Sequence, residues 1–482
     1  MGRIVVVGLG PGNGRYLTLS AWELLSTAER VYFRTLRHPA VADLPEGVER
    51  VSFDYLYETA VKFEDVYRQI VAELLRLAVL SDVIYAVPGH PFIGESTVTL
   101  LMTEAERAGV DVQVEPGLSF VEPTLTAVSV DGLDGLQLFD GIELTSFYVP
   151  PIQPDIPLLL AQVYSRLLAG ELKFALTTLY PDEHPVVLIH AAGTDEEVVE
   201  RVPLYAIDRS EHIDHLTSLY VPPLPAVASL TGLAETIAIL RSPDGCPWDQ
   251  EQTPQSLRDG FLEEASEVLA ALDADDAENL REELGDMFYH LLMQIQMAQE
   301  MEEFTLSDVL AGIDAKLKFR HPHVWGDVNV ADSDEVVKNW EMLKKEEKGK
   351  KPSDSLMDNV PVALPALARS QKIQNRVRKV GFDWPDIGGV YAKLDEEIVE
   401  LQEAVTHEEK MMELGDILFT AVNLGKWLGL DAESALREAN VRFGERFRQV
   451  EILAKRRALT LAEMDIDALE ALWQEAKANL PK

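Results

Sequence analysis

The chain has 482 residues, enough for roughly two to four domains, and its 47% hydrophobic and 26% charged residues give a globular balance with material for a core. Its 43 Lys and Arg against 82 Asp and Glu leave a formal charge of −39, which argues against a binder of duplex nucleic acid, since such a binder needs cations to displace phosphate counterions. The one cysteine, Cys246, excludes an intrachain disulfide and a thiolate zinc cluster. The opening MGRIVVVGLGPGNG has too short an apolar run for a signal peptide. No stretch reaches the ~18 uninterrupted apolar residues of a membrane span, so a cytoplasmic protein with no membrane partner is expected.

In chain order, the first 220 or so residues alternate short β-branched runs with helical stretches. RIVVVGLG (3–10), DVIYAVPG (82–89), VDVQVEPG (110–117) and HPVVLIHAAG (184–193) end in Gly or Pro and read as strands. SAWELLSTAERV (20–31) reads as a helix with Ser20 as its N-cap. Strands alternating with helices imply an α/β domain with a largely parallel sheet. The proline-rich YVPPLPAV (220–227) reads as a linker. Beyond it strand signals almost vanish. Segments 254–272, 276–302, 361–379, 389–405, 408–428 and 431–457 carry helical periodicity, and KKEEKGKKPSDS (344–355) reads as an exposed connector. The expected architecture is an α/β domain over 1–222, followed by an all-α region of two repeats, 226–348 and 356–482.

The repeats follow from four ordered echoes. GCPW (245–248) answers GFDW (381–384), LEEASEV (262–268) answers DEEIVEL (395–401), and ELGD (283–286) answers ELGD (413–416). DAKLKFRH (314–321) answers NVRFGERF (440–447), placing Lys316 opposite Arg442 and Arg320 opposite Arg446. Glu264 and Glu267 share a helical face, as do Glu283 and Asp286, and the second repeat restates them as Glu397, Glu400, Glu413 and Asp416. On the second ELGD helix, Leu414, Ile417, Leu418, Ala421 and Leu428 form an apolar face beside a stripe of Glu413, Asp416, Thr420, Asn423 and Trp427. Clustered carboxylates take up protons unless a cation keeps them charged, and an oxygen-only set suits Mg²⁺ or Mn²⁺. A single ExxE is more often a solvated face; its duplication beside ExxD reverses that judgement. A di-iron bundle is disfavoured because no histidine has a Glu three residues before it.

These stretches, with LRSPDGCPWDQEQT (240–253), KFRHPHVW (318–325), NWEMLKKEEK (339–348) and QKIQNRVRKVGFDW (371–384), resemble the MazG nucleoside triphosphate pyrophosphohydrolases. The resemblance covers about 226–482. It implies hydrolysis of a nucleoside triphosphate to the monophosphate and pyrophosphate at a Mg²⁺-dependent helical site, usually in a homodimer. Glu396 or Glu397 could accept a proton from the attacking water, and Lys393, Arg442 and Arg446 could offset triphosphate charge. Asn423 and Asn440 join the substrate-binding candidates, with Lys316 and Arg320 at the equivalent places of the first repeat. Trp384 and Trp248 could stack on a base or fill a core. Lys393 aligns with Gly260, so the second repeat is expected to carry more turnover, and the first could be active, regulatory or structural. His321 and His323 could contact phosphate or metal, or cap a helix end.

The glycine-rich VVGLGPGN (6–13) fails the dinucleotide fingerprint, and no Gly-Lys-Ser/Thr of a P-loop occurs. With AVPGHPFIGEST (86–97), EPGLSF (115–120) and PVVLIHAAGTDEEVVERVPL (185–204), it resembles the tetrapyrrole (corrin/porphyrin) methylases. That family implies two α/β subdomains with S-adenosylmethionine in the cleft between them. The carried-over contacts are Gly8, Gly10, Pro11, Gly89, His90, Ser119 and Ala191. The family's usual Gly-Asp-Pro is here Gly89-His90-Pro91, so a retained fold used for binding or dimerisation stands beside a working methylase. The whole resembles methylase–MazG fusions of the YabN type. Two other readings remain: a methyltransferase with the helical half as an accessory, and a non-catalytic sensor of nucleotide and cofactor.

Overall fold

The structure, a computed structural model, describes residues 2–59, 63–347, 355–358 and 360–479. It divides into two units, Met1–Ile239 and Leu240–Lys482.

In the first unit, β1 (Ile4–Gly8), β2 (Arg30–Phe33), β3 (Glu49–Ser52), β4 (Val83–Val87) and β5 (Val112–Glu115) form a parallel sheet in the order β3-β2-β4-β1-β5. Central β1 is buried along its whole length, which is why IVVVG is continuously apolar rather than alternating. Helix Leu19–Thr27 starts two residues earlier than its sequence suggests. Thr18 is the N-cap and accepts from the Ala21 amide at 3.1 Å, while Ser20 lies inside the helix and donates its hydroxyl to Glu115.

The second sheet departs from the expected parallel arrangement. It comprises β6 (Gln137–Asp140), β7 (Leu158–Ala161), β8 (Pro185–His190), β9 (Val198–Pro203) and β10 (Thr217–Val221), in the order β6-β7-β10-β8-β9. Only β6–β7 is parallel. The loop between β8 and β9 is too short for a parallel crossover, and β10 inserts antiparallel to both neighbours. The proline-rich passage begins inside β10 and stays tied to this unit. The His184 ring N–H donates to the Pro222 carbonyl (2.8 Å), and the Asp155 carboxylate accepts from the Ala228 amide (2.7 Å).

Among the described residues the second unit is helical. Its main elements are α1 (Arg258–Asp273), α2 (Ala277–Glu300), α3 (Leu306–Arg320), α4 (Ser333–Glu347), α5 (Ala366–Arg378), α6 (Ile387–Glu403), α7 (His407–Trp427), α8 (Ala432–Arg456) and α9 (Ile466–Asn479). Most of the charged connector, 348–354, lies outside the described residues. Helix starts are set by side-chain caps. Asp276 accepts from the Glu278 and Asn279 amides, and Thr406 with Glu409 forms a capping box at the head of α7. The short connections 274–276 and 404–406 fold α2 back along α1 and α7 back along α6. Val450, Leu453 and Ala454 of α8 close a small core with Leu472 and Ala476 of α9. No helix of the described residues is long and apolar enough to cross a membrane.

The apolar face of α7 turns outward. Leu414 (47% exposed), Leu418 (49%) and Leu428 (53%) face outward, whereas Thr420 is buried and Glu413, Asn423 and Trp427 are half-buried. The carboxylate stripe faces the glutamates of α6, and that places the apolar stripe on the outside. The same arrangement occurs in α2, where Leu284, Phe288 and Leu291 are exposed and Glu283 and His290 are buried.

Candidate active site

Antiparallel packing of α1 on α2 brings ExxE against ELGD. One carboxylate oxygen each from Glu264, Glu267 and Glu283 lies within 4.8 Å of the others. In the second repeat Glu397, Glu413 and Asp416 do the same. Asp286 and Glu400 stand beside these triads, close enough to act on their neighbours' charge. Burial and then repulsion by Asp286, Glu267 and Glu283 push the Glu264 carboxyl above the usual glutamate range. Burial, with Glu267 as the first carboxylate to add to it, raises Glu283. Glu400 is also raised, by burial and by Glu397 and Glu413, with Lys393 opposing. Several hard oxygen donors at mutual ligand distance, some of them raised by burial and by their neighbours' charge, fit a divalent cation, which would relieve the repulsion.

The two cradles differ in what neutralises them. Lys393 Nζ lies 2.8 Å from Glu397 and 3.0 Å from Glu396, contacts that raise its pKa, with Glu397 the larger cause. Gly260 occupies the aligned place in the first repeat. There the His290 ring, 6% exposed, comes from α2 and sets its Nε2 4.0 Å from Glu264. Sequence reasoning missed His290, because its proximity depends on the pairing of two helices.

The other basic candidates are engaged elsewhere. Arg442 pairs with Glu438 on its own helix (3.1 Å), and the Arg446 guanidinium lies over Trp473 at 6.0 Å. Arg320 lies over Trp340 at 5.3 Å, and Lys316 is half-exposed on α3. Asn440 is exposed on α8. Asn423 Oδ1 is buried with no hydrogen-bond partner. The His321 ring donates to the Leu317 carbonyl at 2.7 Å, so it caps α3, and the His323 ring lies tilted beside it at 5.6 Å.

The GFDW loop is fixed by a buried ion pair. Asp383 takes Lys426 Nζ at 2.8 Å, with Arg378 at 3.6 Å; burial opposes the charge, yet the Lys426 contact holds this carboxyl below the usual range. Pro247 stands at the corresponding position in GCPW, so only the second repeat has this lock. Trp384, half-exposed, then lies so close to Gly389 that a Cβ there would come within 2.7 Å of its ring. Trp248 is more exposed, at 61%.

In the first unit the glycine motifs converge at the carboxyl ends of β1, β4 and β5. A Cβ on Gly8 would come within 2.6 Å of the Gly89 carbonyl and 2.7 Å of the Gly117 amide, and Gly10 has φ +74°. Gly10 and Gly89 exchange backbone hydrogen bonds. Pro11 and Gly12 carry this loop to Gly193, beside Ala191, whose φ of +49° marks a tight turn after β8. The His90 ring accepts from the Phe92 amide at 3.1 Å. Ser119 is 1% exposed, with its hydroxyl donated to Glu122. Gly117, the glycine of EPGLSF, was not among the carried-over contacts.

Residues 3–208 match the tetrapyrrole (corrin/porphyrin) methylases. Residues 252–325 match the MazG nucleotide pyrophosphohydrolase domain, and 371–443 match phosphoribosyl-ATP pyrophosphohydrolase. Over 485 residues the chain is 39% identical to the uncharacterized protein YabN of Bacillus subtilis (strain 168), covering 99% of this chain and 98% of that one. It belongs to the methylase–MazG fusion family. Within this fusion, the helical half is 44% identical over 244 residues to the nucleoside triphosphate pyrophosphohydrolase of Escherichia coli (strain K12), covering 49% of this chain and 93% of that protein. A uroporphyrin-III-C-methyltransferase from Thermus thermophilus aligns at 25% identity and TM-score 0.38, over 46% of this chain and 94% of that one. The MazG pyrophosphohydrolase half of the fusion contains both cradles.

The raised carboxyls carry a pH consequence. A glutamate raised in the folded state favours folding when protonated, so the metal-free cradles lose stability as pH rises from the unfolded value of about 4.5 through the raised ones. A bound divalent cation reverses this. The rise in melting temperature on adding Mg²⁺ or Mn²⁺ is therefore expected to be larger at pH 8 than at pH 5, as thermal scans at the two pH values would measure. Equal rises would contradict it.

Proposed function

We propose that the chain hydrolyses nucleoside triphosphates to monophosphates and pyrophosphate at the second cradle. The carrying observation is the Glu397–Glu413–Asp416 triad with the Lys393 ammonium 2.8 Å from Glu397. Glu397, Glu400, Glu413 and Asp416 would hold Mg²⁺ or Mn²⁺, which would supply positive charge for the phosphates and a more acidic attacking water. Lys393 offsets the anionic charge gathered there and orients Glu397. Glu396, more exposed and on the same ammonium, is placed to accept the proton of the attacking water. Trp384 offers a half-exposed ring to a base, and the unpartnered Asn423 Oδ1 can take a hydrogen bond from the nucleoside. Arg442 and Arg446 would reach the phosphates only by leaving Glu438 and Trp473. On this reading, 226–348 and 356–482 are the two repeats, and the first cradle takes a cation without matching the second in turnover.

Two further parts of the reading have their own support. The outward Leu284, Phe288, Leu291, Leu414 and Leu418 fall at equivalent or neighbouring places in both repeats, and a second copy of the chain would cover them. The bare backbone at Gly8, Gly10, Gly89 and Gly117 supports S-adenosylmethionine binding by residues 1–222.

Pyrophosphate release from a panel of nucleoside triphosphates is expected with Mg²⁺ and absent after chelation. Glu397→Gln should lower it about 100-fold or more, and Glu264→Gln by less than about threefold, as for a separate site. No pyrophosphate from any nucleotide, or an unchanged rate in Glu397→Gln, overturns the proposal. Light scattering should give a dimer that Leu414→Glu with Leu418→Glu converts to monomer; a monomeric parent contradicts the covered face. Calorimetry with S-adenosylmethionine should show binding that Gly8→Val removes, and no heat at millimolar cofactor would rule it out.

A further inference from the structure

The two cradles differ by a paired exchange. Glu264 aligns with Glu397, so Gly260 aligns with Lys393; Glu283 aligns with Glu413, so His290 aligns with Thr420. The structure joins these separate differences. A Cβ on Gly260 would lie 2.9 Å from His290 Cε1 and 3.3 Å from Nε2, so the imidazole takes up space that any side chain at 260 would need. In the second repeat the long side chain is on the ExxE helix and the small one, buried Thr420, is on the ELGD helix. Each cradle thus has one nitrogen-bearing group beside the first glutamate of its ExxE, delivered from opposite helices.

His290 is an unusual core residue. It is 6% exposed, its Nδ1 is buried with no hydrogen-bond partner, and its Nε2 faces Glu264 at 4.0 Å, beyond hydrogen-bond reach. Phe261 and Tyr289 hold the ring edge-on, with centroids at 6.2 and 5.2 Å. A ring held this firmly, with a nitrogen short of a hydrogen bond to a cradle carboxylate, is arranged for a carboxylate that moves slightly on taking a cation.

We propose that His290 is the positioning residue of the first cradle, taking the place of Lys393, and that the Gly260–His290 pair orients Glu264 on a divalent cation without adding an ammonium for polyphosphate. This rests on the reading that the first cradle takes a cation. The difference between the repeats is then one of function: the first is built to hold a cation, and the second to hold a cation with a triphosphate.

The test uses the full chain carrying Glu397→Gln and Glu413→Gln, which removes the second cradle, with Mn²⁺ binding read by loss of the free-ion signal in electron paramagnetic resonance. The parent should bind Mn²⁺. His290→Leu, which keeps bulk and loses both nitrogens, should weaken binding about tenfold or more, while His290→Gln, which keeps a donor, should stay within about threefold. Gly260→Lys with His290→Thr should raise the affinity of the Mn²⁺-loaded protein for tripolyphosphate about tenfold or more, through the added ammonium. Unchanged Mn²⁺ affinity in His290→Leu overturns the inference alone, since simple packing would leave binding intact. Should that variant fail to fold, the Lys–Thr exchange decides, and no gain in tripolyphosphate affinity overturns it. A parent that binds no Mn²⁺ removes the cation reading of the first cradle, and the inference with it.

Discussion

Repulsion among carboxylates crowded onto paired helices is the constraint on which the helical half depends. Short capped connections force α2 along α1 and α7 along α6, so ExxE meets ELGD with oxygens within 4.8 Å. Stability alone would not select that arrangement, because burial and mutual charge hold Glu264, Glu283 and Glu400 above their ordinary pKa. Other features follow from it. The acidic stripes turn inward, the leucine stripes of α2 and α7 turn outward, and a basic group is drawn in beside Glu397. The helical half thus keeps carboxylates on inward faces beside a modest apolar interior that includes Met293, Met297 and Val422.

The duplication shows how one scaffold can be tuned twice. Both repeats keep the acidic framework, and they differ around it. The second has Lys393 in front of Glu397 and the buried Asp383–Lys426 pair that fixes Trp384 over Gly389. Removing one partner of such a pair leaves an uncompensated charge, whereas the GCPW region is held differently, by Arg241 donating to the Asp249 carbonyl and the Tyr289 hydroxyl donating to the Asp249 carboxylate. The first repeat instead fills the positions aligned with Asn423 and Trp427 with Met293 and Met297, both fully buried. Polar atoms left open in one repeat are thus replaced by apolar packing in the other.

Much of this was legible in the sequence, for identifiable reasons. Helical spacing fixes which residues share a face, so both carboxylate sets could be read from ExxE and ELGD alone. Spacing does not say which face turns inward, and the apolar face with Leu414 and Leu418 lies outward. His290 was invisible because its partner Gly260 lies thirty residues away on another helix, and only their packing joins them. The parallel sheet of the first unit follows from strands that alternate with helices. The second sheet could not be read the same way, since nothing local to β10 says it pairs antiparallel with β7 and β8. Ser20 lost the cap to Thr18, a hydroxyl-bearing residue two positions earlier.

The central claim is that the second cradle directs water to the bond between the α- and β-phosphates. Phosphorus NMR of one nucleoside triphosphate turned over by the full chain with Mg²⁺ tests it most directly. The account requires nucleoside monophosphate and pyrophosphate in equal amounts from the first turnover. Nucleoside diphosphate with inorganic phosphate would contradict it.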